Sequence, residues 1–143
     1  IWIYYIDPTK PEHIPVSQFM DELILSGEEV LTNTVIWMEV AHYLFKVSRL
    51  PREVLLDILK ALMALPTMIV ADFDADLLYL SLKILAKLQA YPIGGRDATL
   101  LAAMDKFGAK KLATHDAGFK RLAEAGIIEV IDPVTGEEIG SMP

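Results

Sequence analysis

Residues 94–122, "GGRDATLLAAMDKFGAKKLATHDAGFKRL", decide how this chain is read. The run from Gly94 to Gly108 places Asp97 at the start of a helix. The following "KKLAT" is too short for a helix and favours a strand ending at Thr114. His115 and Asp116 then occupy the turn before a second, short helix. In an open parallel sheet the functional crevice lies beyond the carboxyl ends of the strands, so both acids can face the same end of such a sheet.

The rest of the chain repeats this alternation. "VSQFMDELILSG", "TVIWMEVAHYLFKVSR", "PREVLLDILKALMAL" and "DADLLYLSLKILAKLQAY" carry apolar residues three and four apart, the spacing of an amphipathic helix. Ser17 and Asp74 read as N-caps, Pro51 suits a first turn, and Gly27 and Pro66 follow runs they end. Between the helices stand "EVLT", "TMIVA", "KKLAT" and "IIEVI", four short strand-like runs. Helix and strand in alternation predict an α/β fold with a parallel sheet and helices on both faces. The 143 residues read as one domain, with no internal repeat or linker.

Composition narrows the chemistry. The chain has no cysteine, which excludes thiolate ligands and disulfides and fits an intracellular setting. Charged residues interrupt each long apolar stretch, and the start lacks the charged region of a signal peptide, so the sequence predicts a soluble cytoplasmic protein without a membrane span. The net charge of −7 argues against nucleic-acid binding over the whole surface. Residues 96–121 differ: six cations (Arg96, Lys106, Lys110, Lys111, Lys120, Arg121) against three acids make them +3, leaving −10 elsewhere. A polyanion would dock there, unless these cations only decorate solvated helix faces.

Three carboxylates are candidates for chemistry. Asp97 and Asp116, taken singly, read as helix-capping acids. Glu39 is the only acid in "VIWMEVAHYLF", and among large apolar neighbours an ionised carboxylate must be paired, metal-bound or turned into a polar cleft. His42 and Lys46, three and seven residues on, share its face and offer an ordinary salt bridge. Carboxylates brought together repel unless a cation neutralises them, and oxygen donors without sulfur favour Mg²⁺ or Mn²⁺. Such a cluster positions water for attack on a phosphodiester. His13, His42 and His115 lack zinc-ligand spacing, and Gly94–Gly95 lacks the dinucleotide fingerprint.

Together, "LTNTVIWMEVAHYL", "GGRDATLLAAMDKFGAKKLATHDAGFKRL" and the closing "GIIEVIDP" resemble the PIN-domain nucleases, and in particular the VapC-type toxins of prokaryotic toxin–antitoxin pairs. The resemblance implies a three-layer α/β fold with a sheet of about four to five parallel strands. It matches Glu39, Asp97 and Asp116 to the family's catalytic, metal-binding acids and Thr114 to its hydroxyl beside the last acid. The family's first acid ends the first strand, and "IWIYYIDPTKPEH" resembles the segment immediately after that acid. On this reading the acid lies just before Ile1, Trp2, Tyr4 and Tyr5 begin a helical turn, and Asp7 belongs to a loop. The alternative makes residues 1–6 the strand and Asp7 the first acid.

The function implied is a Mg²⁺- or Mn²⁺-dependent endoribonuclease, with RNA as substrate, a small antitoxin protein as partner and a homodimer as its assembly. Thr114, Arg96 and Lys120, in the basic stretch, are the candidate substrate-binding residues. Two other readings stand beside it: a noncatalytic PIN-like module that binds protein or RNA, and a PIN nuclease of RNA maturation.

Overall fold

The computed structural model describes residues 1–140. Its elements are α1 (Trp2–Ile6), α2 (His13–Ser26), β1 (Val30–Asn33), α3 (Thr34–Val47), α4 (Arg52–Met63), β2 (Met68–Ala71), α5 (Ala75–Lys87), α6 (Gly95–Phe107), β3 (Lys111–Ala113), α7 (Ala117–Glu124), β4 (Glu129–Ile131) and β5 (Glu138–Ile139). Each amphipathic run is a helix and each short β-favouring run a strand. Asp74 caps α5 by accepting from the Leu77 N–H at 2.8 Å, and Gly27 ends α2 at a φ of 78°, which a side chain would strain.

Two expectations fail at the start of the chain. Ser17 is not the N-cap of α2, which begins four residues earlier at His13, after Glu12. Pro15 lies in the resulting first turn, where its missing N–H costs no helical bond. Residues 2–6 are helical, so they are not the strand of the alternative reading. The Tyr5 and Asp7 N–H groups donate to the carbonyls of Ile1 and Ile3, each at 2.9 Å. The β-branched and aromatic residues here favour a strand by propensity. Packing overrides it: the buried Trp2 indole lies 4.8 Å from that of Trp37, centroid to centroid.

β1 pairs with β2 in parallel, Val30 opposite Met68 through Asn33 opposite Ala71. β3 pairs with β4 in parallel, Lys111 opposite Glu129, and β5 adds an antiparallel edge to β4. The parallel strands thus form two separate pairs, flanked by helices. One core gathers Trp2, Val16, Met20, Trp37, Leu44 and Leu55 from α1–α4. Another gathers Leu101, Met104, Phe119, Leu122 and Val130 from α6, α7 and β4. β1 stands between them, with Val30 packed on the first core and Leu31 on the second, as alternation along a strand requires. Each fully buried Leu contributes about 1.5–3 kcal/mol, against about 1 kcal/mol for a cap, so these cores outweigh helix ends in stability. Among the described residues no helix is long and apolar enough to cross a membrane.

A polar seam runs beneath the carboxyl end of β1. Trp37 Nε1–H donates to Thr32 Oγ1 at 2.9 Å, and that hydroxyl donates to the Ile69 carbonyl at 3.2 Å. Asn33, with no exposed surface, accepts from the Ile36 N–H through Oδ1 at 2.8 Å and donates through Nδ2 to Thr99 Oγ1 at 3.3 Å. The Thr99 hydroxyl donates to the Arg96 carbonyl at 2.7 Å. One carboxamide therefore caps α3 and ties it to the first turn of α6. Replacing it by alanine is expected to cost roughly 2–3 kcal/mol, a cap plus an orphaned buried partner. Asn33→Asp keeps the cap but loses the donor and buries a charge, so chemical denaturation is expected to show a loss there too, although Asp and Asn cap free helices equally well.

Candidate active site

The carboxyl ends of β1 and β3 open onto a cleft of about 610 Å³. Glu39, His42 and Lys46 line it from one face of α3, Arg96 and Asp97 from the first turn of α6, and Asp116 from the turn before α7. The three acids expected from sequence therefore share one cavity, although they come from three elements. Thr114, at the end of β3, lines an adjoining cavity of about 510 Å³ in which Asp116 also takes part.

Each acid is held by local structure. Asp97 is the third residue of α6, and its Oδ2 accepts from the Gly94 N–H at 3.0 Å. Asp116 is the N-cap of α7, its Oδ1 accepting from the N–H groups of Gly118 at 2.8 Å and Phe119 at 3.3 Å. A Cβ at Gly118 would sit 2.7 Å from the Pro92 carbonyl oxygen and 2.9 Å from Asp116 Oδ1, so only glycine lets the turn close on the carboxylate. Thr114 Oγ1 accepts from the Asp116 N–H at 3.1 Å and steadies the same turn. The capping roles read from spacing are thus real. Each leaves the other carboxylate oxygen without a bonded partner among the described residues.

Glu39 is paired, though not with His42 or Lys46. Arg96 donates to its Oε2 at 2.9 Å, and the side chains are 44% and 72% exposed. So exposed a pair adds little stability and separates readily when a ligand competes for either partner. The other cations of the basic stretch are mostly engaged. Lys106 stands 3.9 Å from Asp74 and Lys111 3.9 Å from Glu138, while Lys120 reaches Asp132 and Glu137 at 2.6 and 3.4 Å. Four of the six cations face acids from outside the stretch, so the +3 counted along the chain is largely offset in space. Lys120 in particular is turned to its own fold and does not line the acidic cleft.

Asp7 does not line this cleft either. Its Oδ1 accepts from the Thr9 hydroxyl at 2.6 Å and the Thr9 N–H at 3.0 Å, and the hydroxyl bond in particular keeps its carboxyl below the usual range. It is the turn former that the loop reading describes.

The donor set is carboxylate oxygen throughout, the chemistry that suits a hard divalent cation. In geometry, however, no three His, Asp or Glu side chains among the described residues stand close enough to hold one. Glu39 is turned to Arg96, and the two aspartates to backbone N–H groups.

The PIN-domain family model matches residues 1–125. The chain belongs to the PIN-domain family. That match includes Glu39, Asp97 and Asp116, and PIN domains are generally nucleases, hydrolases that typically use divalent metals. No curated protein matches the chain.

Beyond the matched span, this PIN domain carries a polar centre that sequence reasoning missed. Asp132, just after β4, has no exposed surface. Its Oδ2 accepts from Lys120 Nζ at 2.6 Å and His115 Nδ1 at 2.8 Å, and its Oδ1 from the Val134 N–H at 2.8 Å. Burial alone would raise its pKa, but the bonds from Lys120, His115 and Val134 outweigh it and hold the carboxyl well below the carboxylate range. A readable signal existed: "VIDP" repeats at the end of β4 the strand-then-acid pattern of "LATHD" at the end of β3. The family resemblance takes in "GIIEVIDP" as a whole and does not single out Asp132 within it.

Because the folded pKa of Asp132 is depressed, its stabilisation is complete above the ordinary carboxylate pKa and is lost as pH falls through the folded value. Asp132→Asn is expected to lower stability at neutral pH by roughly 2–4 kcal/mol, since hydrogen bonds to a buried charge are lost. The gap from wild type should narrow as urea denaturation is followed from about pH 5 downward. A constant gap would place the stabilisation elsewhere.

Proposed function

We propose that this PIN domain is a Mg²⁺- or Mn²⁺-dependent endoribonuclease of the VapC toxin type, acting on RNA in the cytoplasm. The observation that carries this reading is the convergence of Glu39, Asp97 and Asp116, from three separate elements, on one cleft. Asp97 and Asp116 each engage one carboxylate oxygen with backbone N–H groups, which leaves the other oxygen for a ligand. Because no three of these side chains stand close enough to hold a divalent cation among the described residues, binding one would require them to move together; a cation so held would activate water and offset charge on the leaving oxygen. Arg96 spends one of its donors on Glu39 and keeps others for a phosphate oxygen at the cleft mouth. Thr114 acts through Asp116, whose turn it steadies.

A homodimer and a small antitoxin complete the proposal. Leu56 on α4 and Leu78, Tyr79 and Leu82 on α5 are 44–63% exposed, more apolar side chain than a solvated surface requires. We assign the dimer to these helices. Light scattering at tens of micromolar is expected to give twice the chain mass, with Leu56→Lys plus Leu82→Lys shifting it to the monomer.

The direct test of chemistry is RNA cleavage with added Mg²⁺ or Mn²⁺ and with EDTA. Cleavage should require the metal, and Asp97→Asn should abolish it while changing stability by less than about 1 kcal/mol, because an Asn carbonyl oxygen can still accept from the Gly94 N–H. RNA bound but left uncut by the wild type would favour the noncatalytic module. Expression should arrest growth until the neighbouring antitoxin gene is co-expressed. Cleavage without growth arrest would favour RNA maturation.

A further inference from the structure

The second cavity, of about 510 Å³, continues the acidic cleft through Asp116, Tyr43, Ile1 and Ile3, but its remaining chemistry differs. It is lined by Lys10, Tyr4, Tyr43, Thr114 and His115 beside Asp116. An ammonium and three aromatic rings thus stand next to the acids. The Lys10 ammonium is anchored: Nζ donates to the Tyr43 hydroxyl at 2.6 Å and lies 5.2 Å from the centre of that ring. Two of its three N–H donors remain for another acceptor.

The backbone that carries Tyr4 is anchored as well, its carbonyl accepting from His13 Nδ1 at 2.7 Å. The His115 ring meets Tyr4 edge to face, 6.4 Å between centres, and its Nδ1 is committed to the ionised Asp132, leaving Nε2 as its other polar edge. A fixed cation beside half-buried aromatic faces is the combination that binds single-stranded nucleic acid, the cation taking phosphate and the ring faces taking bases.

We propose that Lys10, Tyr4, Tyr43 and His115 form a nucleotide subsite that holds the RNA nucleotide next to the scissile phosphate. Lys10, oriented by Tyr43, takes the neighbouring phosphate, and the rings of Tyr4 and His115 receive the base. This assignment rests on the ribonuclease reading. It concerns binding and register, so Lys10 and Tyr43 are positioning residues for the acids across Asp116.

The test is binding of a fluorescein-labelled single-stranded RNA of about ten nucleotides by anisotropy in EDTA, which separates binding from cleavage. Lys10→Ala is expected to weaken binding about tenfold and to lower the salt dependence by close to one phosphate contact. Lys10→Arg should restore most of the affinity, and Tyr43→Phe, which frees the ammonium, should lose an intermediate share. In turnover with metal, Lys10→Ala should raise KM by a larger factor than it lowers kcat. Thermal unfolding of each variant checks that the fold is kept. Unchanged affinity and salt dependence in Lys10→Ala, with RNA still bound and cut by the wild type, would overturn the subsite while leaving the ribonuclease reading intact. A wild type that neither binds nor cuts RNA would overturn both.

Discussion

The geometry of the acidic cleft hangs on one buried carboxamide. Asn33 ends β1, caps α3 and reaches Thr99 on α6, whose hydroxyl in turn closes on the Arg96 carbonyl. Glu39 rides on the helix that Asn33 caps, and Arg96 and Asp97 lie in the turn that Thr99 secures. The separation and facing of two thirds of the acidic set therefore depend on a side chain that never meets solvent. Satisfying all of its polar atoms internally is what makes such a network rigid, since a half-satisfied amide in the same place would be a liability.

Asp116 is placed by independent means. Its turn is closed by Thr114 below and by the glycine at 118, which lets the Pro92 carbonyl approach. Behind it, the Asp132 carboxylate pins His115 and Lys120, the residues on either side of the turn and its helix. A buried anion held by an ammonium and an imidazole N–H does not add stability in proportion to its Coulomb energy, because desolvation opposes it. What it does is restrict rotation: His115 presents one defined edge, and Lys120 is kept from pairing with the acids of the cleft.

The electrostatic design is consequently local. A net charge of −7 repels a polyanion over most of the surface. Four of the six cations along residues 96–121 face acids from outside the stretch, at Glu39, Asp74, Asp132, Glu137 and Glu138. Arg96 and Lys46 in the cleft and Lys10 in the adjoining cavity are cations that face the acids' end of the fold. Charge counted along the chain misplaces them, because pairing is settled by distance in space and falls off within about 8–10 Å at physiological salt.

Periodicity was enough to read helices α2 to α5, strands β1 to β4 and the capping of α5 by Asp74, because apolar spacing and cap chemistry act within a few residues. The three acids could be singled out for the same reason: Glu39 by its apolar neighbours, Asp97 and Asp116 by their place at helix starts. The tertiary structure decided what depends on residues far apart. It made residues 2–6 a helix through the Trp2–Trp37 contact, against their strand propensity. It gave Glu39 the partner Arg96, fifty-seven residues away, in place of the neighbours one and two turns along its own helix. It made Asp132, which sequence reasoning did not single out, the buried anion that holds His115 and Lys120. Pairwise contacts at such separations are set by how whole elements pack, and no local pattern encodes them.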